Sequence, residues 1–160
     1  MEQKILFEEE QRFTQWYIWI LLLGLLCIPV YGIIQQLVLK QPIGDKPMSD
    51  LGLVIILFTQ LSLCLLFWIL KIKTTISKEK ISFRFFPFVT KTIPWDEVEV
   101  AEIVKYRFVG YGIRIFTSYG TVYNINGNKG MALTLTNKKK LLIGTQKPYE
   151  LEDVIHSVLK

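Results

Sequence analysis

The chain carries two patterns of apolar and polar positions, and they change over near residue 71. In the first half, apolar residues run without a charge over 13–39 and again over 51–70. At about 1.5 Å rise per residue these runs make helices of roughly 40 and 30 Å. A bilayer core takes about 20 apolar residues, so the pattern predicts transmembrane helices over 13–39 and 51–70. Between them, residues 40–50 hold Pro42, Gly44 and Pro47, which favour a turn over a continued helix. From Ile72 the pattern alternates. Ile72, Thr74 and Ile76 are followed by Ile81, Phe83 and Phe85, then Val98 to Val104, Ile113 and Ile115, Val122 to Ile125, Met131 to Leu135, and Leu141 to Ile143. Turn residues bound each run, which predicts about seven antiparallel strands in a meander, with Pro87 and Pro94 between runs.

The last pattern is helical. Pro148 suits a first helical turn, and Glu150, Glu152 and Asp153 suit its positive end. Leu151, Val154, Ile155, Val158 and Leu159 then recur as one apolar stripe. The predicted fold is a membrane α-helical hairpin followed, over 71–160, by an all-β-type domain capped by one C-terminal helix. Residues 1–12 are expected as a short flanking segment. About 90 residues are enough to sustain such a core.

Charge adds a topology. The 40–50 linker holds only Lys40 and Lys46 as bases, whereas Lys4, Arg12, Lys71, Lys73, Lys78, Lys80 and Arg84 flank the other ends of the two runs. Basic flanks stay cytoplasmic, so both termini are expected inside and the 40–50 loop outside. Trp16, Tyr17, Trp19 and Trp68 fall where interfacial aromatics anchor, on that same side. A cleaved signal peptide is not expected: Glu8, Glu9 and Glu10 occupy the place of a basic region, and no small-residue cleavage site follows. Cys27 and Cys64 lie within the apolar runs and read as small apolar residues, with no disulfide framework. Inside the runs, Gly24 and Gly32 with Thr59 and Ser62 suit close helix packing. Gln60 is the most polar residue near the middle of a span and is a candidate interhelical polar contact.

Catalytic chemistry has little to stand on. The one histidine, His156, falls on the polar side of the C-terminal stripe, and no Cys/His pair has metal-ligand spacing. Asp96 and Glu97 are adjacent, so on a regular strand they point apart. Gly110-Tyr111-Gly112 has the look of a phosphate loop, but a strand follows it where a helix N-terminus would be needed. The glycines are read as a bend, Ile113 and Ile115 as core, and Arg114 as facing the other way. No cofactor, metal or catalytic residue is expected.

The basic balance carries more. Residues 71–160 hold 15 basic residues against eight acids. Lys78, Lys80 and Arg84, around the first strand turn, are the candidate contact for an anionic lipid headgroup, beside the plainer reading of a solvated basic turn. Nucleic acid is not an expected partner, since no aromatic stacking platform accompanies the charge.

The run GYGIRIFTSYGTVYNINGNKGMALTLTNKKKLLIGTQKPYELEDVI, over 110–155, resembles bacterial membrane proteins containing a pleckstrin-homology (PH)-like domain, in which two helices precede the domain. Its most specific part is the Ile143-Gly144-Thr145-Gln146-x-Pro148 segment leading into the last helix. The resemblance implies a PH-like fold in the inner membrane and no catalytic residue. The expected function is a membrane-anchored, non-enzymatic binding or scaffolding module, with the bilayer, anionic headgroups or another membrane protein as partner. Homo-oligomers are compatible with this. The alternative is a small accessory subunit of a membrane transport or enzyme complex.

Overall fold

The computed structural model describes residues 4–41, 43–107 and 110–159. Pro42, Phe108, Val109 and Lys160 lie outside the described residues. Two compact units form: a helical unit, Phe13–Ile69, and a β unit made of the residues before it together with those from Leu70 onward.

In the helical unit, α1 (Trp16–Ile33) continues through a π-helical turn, Ile34–Val38, and is followed by α2 (Asp50–Ile69). Both helices are long and apolar enough to cross a membrane, each with a mean hydropathy of 2.3. They pack on each other. Phe13 meets Phe67 edge-on with ring centres 5.2 Å apart, so the two ends of this unit come together. A Cβ at Gly32 would stand 2.9 Å from Leu53 Cδ2, so the helices approach closely there. The other residues expected at that contact behave differently. Gly24 has open space around it, and the Thr59 and Ser62 hydroxyls donate to the Ile55 and Phe58 carbonyls of their own helix. Back-bonding within one turn spends the hydroxyl before it can reach a neighbour.

The β unit contains two sheets. The first is an antiparallel ladder in chain order: β1 (Ile5–Arg12), β2 (Lys71–Ser77), β3 (Lys80–Phe86) and β4 (Val89–Pro94). The second comprises β5 (Val98–Lys105), β6 (Gly112–Thr117), β7 (Gly120–Asn124), β8 (Lys129–Leu135) and β9 (Lys140–Gly144), in the order β5-β8-β9-β7-β6. All its pairs are antiparallel except β7 with β9. The inner faces meet through Phe83 and Tyr123, ring centres 4.8 Å apart. Ile72, Ile76, Ile81, Met131, Leu133 and Ile143 fill the interior around them. Val122 and Leu142 are also fully buried, under Tyr106 on the second face of the same sheet. That burial on both faces explains why Leu141-Leu142-Ile143 reads as a continuous apolar run. Helix α3 (Pro148–Val158) buries Leu151 and Ile155 and packs on β5 and β8 of one sheet and on β1 of the other.

Four expectations need correction. Residues 1–12 are not a separate flanking segment, because Ile5–Arg12 is strand β1 and pairs with β2 from Ile5↔Ser77 to Arg12↔Lys71. The strand count is nine among the described residues, since β1 and β4 add to the seven foreseen. The parallel β7–β9 pair replaces a plain meander. Pro94 ends β4 rather than lying between strands, which an edge strand tolerates because its outer side needs no donor.

A polar clasp ties the sheets together at the α3 end. Glu9, on the inward side of β1, is 6 % exposed. Its carboxyl accepts from the Thr145 hydroxyl at 2.6 Å and from the Gln146 backbone N–H at 2.7 Å. Gln11 Nε2 donates to the Gly144 carbonyl at 2.7 Å. The Gly144-Thr145-Gln146 segment is therefore the receptor for β1. Glu9→Ala strands a buried hydroxyl and a part-buried N–H, and unpaired buried groups cost about 1–3 kcal/mol each. The full chain in detergent is expected to lose roughly 3 kcal/mol in chemical denaturation, and Glu9→Ala combined with Thr145→Val should lose less than the sum of the two singles.

Gly120 opens β7 at φ +74°, and a Cβ there would stand 2.0 Å from the Lys140 carbonyl oxygen. No side-chain adjustment relieves a clash with backbone. Gly120→Ala should therefore destabilise by about 3 kcal/mol or more, read as a lowered midpoint in the same denaturation experiment.

Candidate functional site

The residues singled out from the sequence do not converge. Lys78 is exposed in the β2–β3 turn, whereas Lys80 and Arg84 lie on the outward side of β3, four residues apart. At about 3.3 Å per strand residue that separation is roughly 13 Å. Arg84 stacks on the Phe86 ring at 4.9 Å. Gln60 Nε2 donates to the Leu22 carbonyl of α1 at 3.1 Å, so it joins the two helices. His156 is exposed in the last turn of α3.

The outward face of the first sheet is mostly self-neutralised. Glu10 bonds Lys71 at 2.9 Å and Arg12 at 2.7 Å, and Glu8 bonds Lys73 at 2.5 Å. Lys71, then Arg12, hold the Glu10 carboxyl below its usual range, and Glu8 holds the Lys73 amine above its own. Glu10 thus contributes stability above its unfolded pKa, lost as pH falls through the lowered folded value. Lys73 contributes below its unfolded pKa and loses this as pH rises through the raised one. These pairs are exposed, so both effects are small. On the second sheet, burial alone pushes the Tyr106 phenol up to about 12, so it stays protonated at neutral pH. Among the described residues no three His, Cys, Asp or Glu side chains come together as a metal site.

The structure does bring together a set of side chains that the sequence reading passed over. Helix α3 covers the sandwich along β1 and β5, the edges opposite β4 and β6. An open groove of about 510 Å³ runs between β4 and the β6–β7 hairpin and extends to the β8–β9 turn. Its floor includes the buried Leu135 and Leu141, and its walls hold Lys91, Lys139 and Lys140, with no acid among its lining residues. Lys91 alternates with Val89 and Ile93, so it takes a core-facing position on an edge strand, with its Nζ 5.7 Å from the centre of the Tyr123 ring. Among the described residues none of these three lysines makes an ion pair, whereas the neighbouring Lys138 is held by Glu99 at 2.7 Å.

At the rim, the sequence expectation for Ile115 fails. Ile115 was read as core, but it is 59 % exposed, and Phe116 is 96 % exposed. The β6–β7 register shifts between Arg114 and Thr117, so a bulge replaces regular alternation and re-aims both side chains. Gly110 and Gly112, at φ +89° and +92°, form the bend that leads into this strand. Phe116 itself sits at φ +61°, a region in which a bulky side chain is an outlier costing on the order of 1 kcal/mol or more. The sequence signal was an apolar Ile115-Phe116 pair directly before the Thr117–Gly120 turn, but the alternating strand pattern claimed Ile115 for the core and left Phe116 unassigned.

No protein-family model matches the chain, and comparison with curated proteins returned no relative.

Phe116 contributes little to the stability of the β unit. Phe116→Gly should remove the left-handed strain and leave the denaturation midpoint equal to or above that of the unmodified chain, an outcome opposite to that of a core phenylalanine.

Proposed function

We propose that this chain is a membrane-anchored, non-enzymatic binding or scaffolding module, with a PH-like β unit held on the cytoplasmic side of the bacterial inner membrane. The observation that carries this reading is the uncovered apolar surface of the helical unit. Only 17 % of the apolar window of α1 and none of that of α2 is buried, whereas the core helix of a soluble protein would be mostly covered. Leu21, Leu23, Ile28, Leu51, Ile55 and Phe58 all face outward, a surface that lipid tails cover without cost.

The chain path supports one side for both flanks. Arg12 ends β1 and Lys71 begins β2, and the two are cross-strand partners. The helical unit is therefore inserted between neighbouring strands, in the place of a hairpin turn, and an even number of spans returns the chain to its starting side. The excess of basic residues beside those strands supports the cytoplasm as that side. Two packed sheets with a C-terminal helix along one edge support the PH-like reading. The Gly144-Thr145-Gln146 segment, the most specific part of the resemblance, has a structural role in the β1 clasp. Glu8, Glu9 and Glu10 are engaged in pairing or clasping, which supports a structural role for these three acids.

The test is protease accessibility of the full chain in vesicles of defined orientation. Residues 71–160 should survive protease added outside right-side-out vesicles and be digested in inverted ones. Digestion from outside the right-side-out vesicles would overturn the assignment.

A further inference from the structure

We propose that the groove beside β6, with Phe116 and Ile115 at its rim, is an insertion surface for an anionic bilayer, an assignment that rests on the membrane reading above. Two chemistries lie side by side there. Phe116, at 96 % exposure, and Ile115, at 59 %, present an apolar tip, and Lys91, Lys139 and Lys140 line the groove behind it without an acid. An anionic lipid answers both: acyl chains take the aromatic and aliphatic side chains, and headgroup phosphates take the ammonium groups. Free phosphate would leave the apolar tip in water. A second copy is disfavoured by charge, because residues 71–160 carry 15 bases against eight acids, and Glu8, Glu10 and Glu99 are already paired with bases.

The backbone points the same way. A bulge and a left-handed φ hold a phenylalanine outward where glycine would sit without strain. Lys91 likewise occupies an inward position on edge strand β4, where an apolar side chain would extend the core. Both residues oppose local packing, and both face one groove.

The experiment uses the full chain with Cys27→Ala and Cys64→Ala, labelled with an environment-sensitive fluorophore through Phe116→Cys. The protein is held in nanodiscs at one copy per disc. Discs of phosphatidylcholine alone are compared with discs containing phosphatidylglycerol, and phosphatidylglycerol vesicles are also added to protein in neutral discs. A blue shift with protection from aqueous iodide is expected when anionic lipid is supplied in either way, and a water-like spectrum in phosphatidylcholine alone. Each lysine near an anionic surface favours the bound form by roughly fivefold, so Lys91→Gln with Lys139→Gln and Lys140→Gln should return the probe to water. Salt at 0.5 M should weaken the shift, because screening then acts over a few ångströms. A parallel probe at Phe58→Cys on α2 reports the membrane reading itself. If that probe is in lipid while the Phe116 probe stays open to iodide with anionic lipid present, the insertion surface is overturned and the membrane reading stands. If the Phe58 probe is also in water, the membrane reading fails first. A blue shift that survives loss of the three lysines, or that arises only when discs hold several copies, would also overturn the proposal.

Discussion

The antiparallel pairing of β1 with β2 is the constraint on which the rest of the structure depends. Those strands are separated in the chain by the whole helical unit, yet they meet residue by residue from Ile5↔Ser77 to Arg12↔Lys71. Without β1, β2 becomes an exposed edge and α3 loses part of the surface on which it packs. Apolar contact alone does not hold β1, because its inward positions are Phe7, Glu9 and Gln11. The clasp to Gly144, Thr145 and Gln146 supplies the rest, and it places hydrogen bonds where a buried carboxyl and amide would otherwise be costly. Of the two edges that flank the sandwich at that end, β1 is therefore held by polar contacts and β5 by the apolar side of α3.

Covering one side of a two-sheet sandwich leaves the other to be managed differently. At β4 and β6 no helix of the β unit lies over the gap among the described residues, and the β unit instead presents lysines, a bulge and two exposed apolar side chains. An inward-pointing lysine on an edge strand also discourages another strand from pairing there. The groove is thus compatible with solubility of the β unit in the absence of a partner. The exposed phenylalanine works against solubility, so edge protection does not account for the whole arrangement.

The architecture was legible wherever one face of an element is apolar. The helical runs, the seven strands with plain alternation or continuous burial, and α3 with Pro148 in its first turn all announced themselves. Two strands did not, for the same physical reason. The inward positions of β1 include Glu9 and Gln11, and those of β4 include Lys91, so period-two hydrophobicity vanishes. Those residues are also the ones that matter most, at the clasp and in the groove. Ile115 was misread from the opposite direction: it looks like core, and only the register shift shows that it is not. A bulge leaves little trace in composition, because its cause is the backbone conformation. Lys78, Lys80 and Arg84 formed a cluster in sequence because two of them share one strand, and a strand spreads alternate residues along its length instead of gathering them.

Pairing β1 with β2 also couples the two units thermodynamically. Closing a flexible loop of about 60 residues costs roughly 3–4 kcal/mol of chain entropy, comparable to a large share of a small domain's stability. The helical unit lowers this cost because its own ends already meet, with Phe13 against Phe67 at 5.2 Å. Whatever favours the helical hairpin therefore favours the β1–β2 pair, and with it the clasp and the seat of α3. On the membrane reading, the bilayer supplies that bias by enforcing the hairpin, so insertion of residues 13–69 and completion of the first sheet become linked equilibria. Linkage of this kind is reciprocal. A β unit with β1 in place holds the two spans together, and loosening of either span is felt first at the strand that the sequence conceals best.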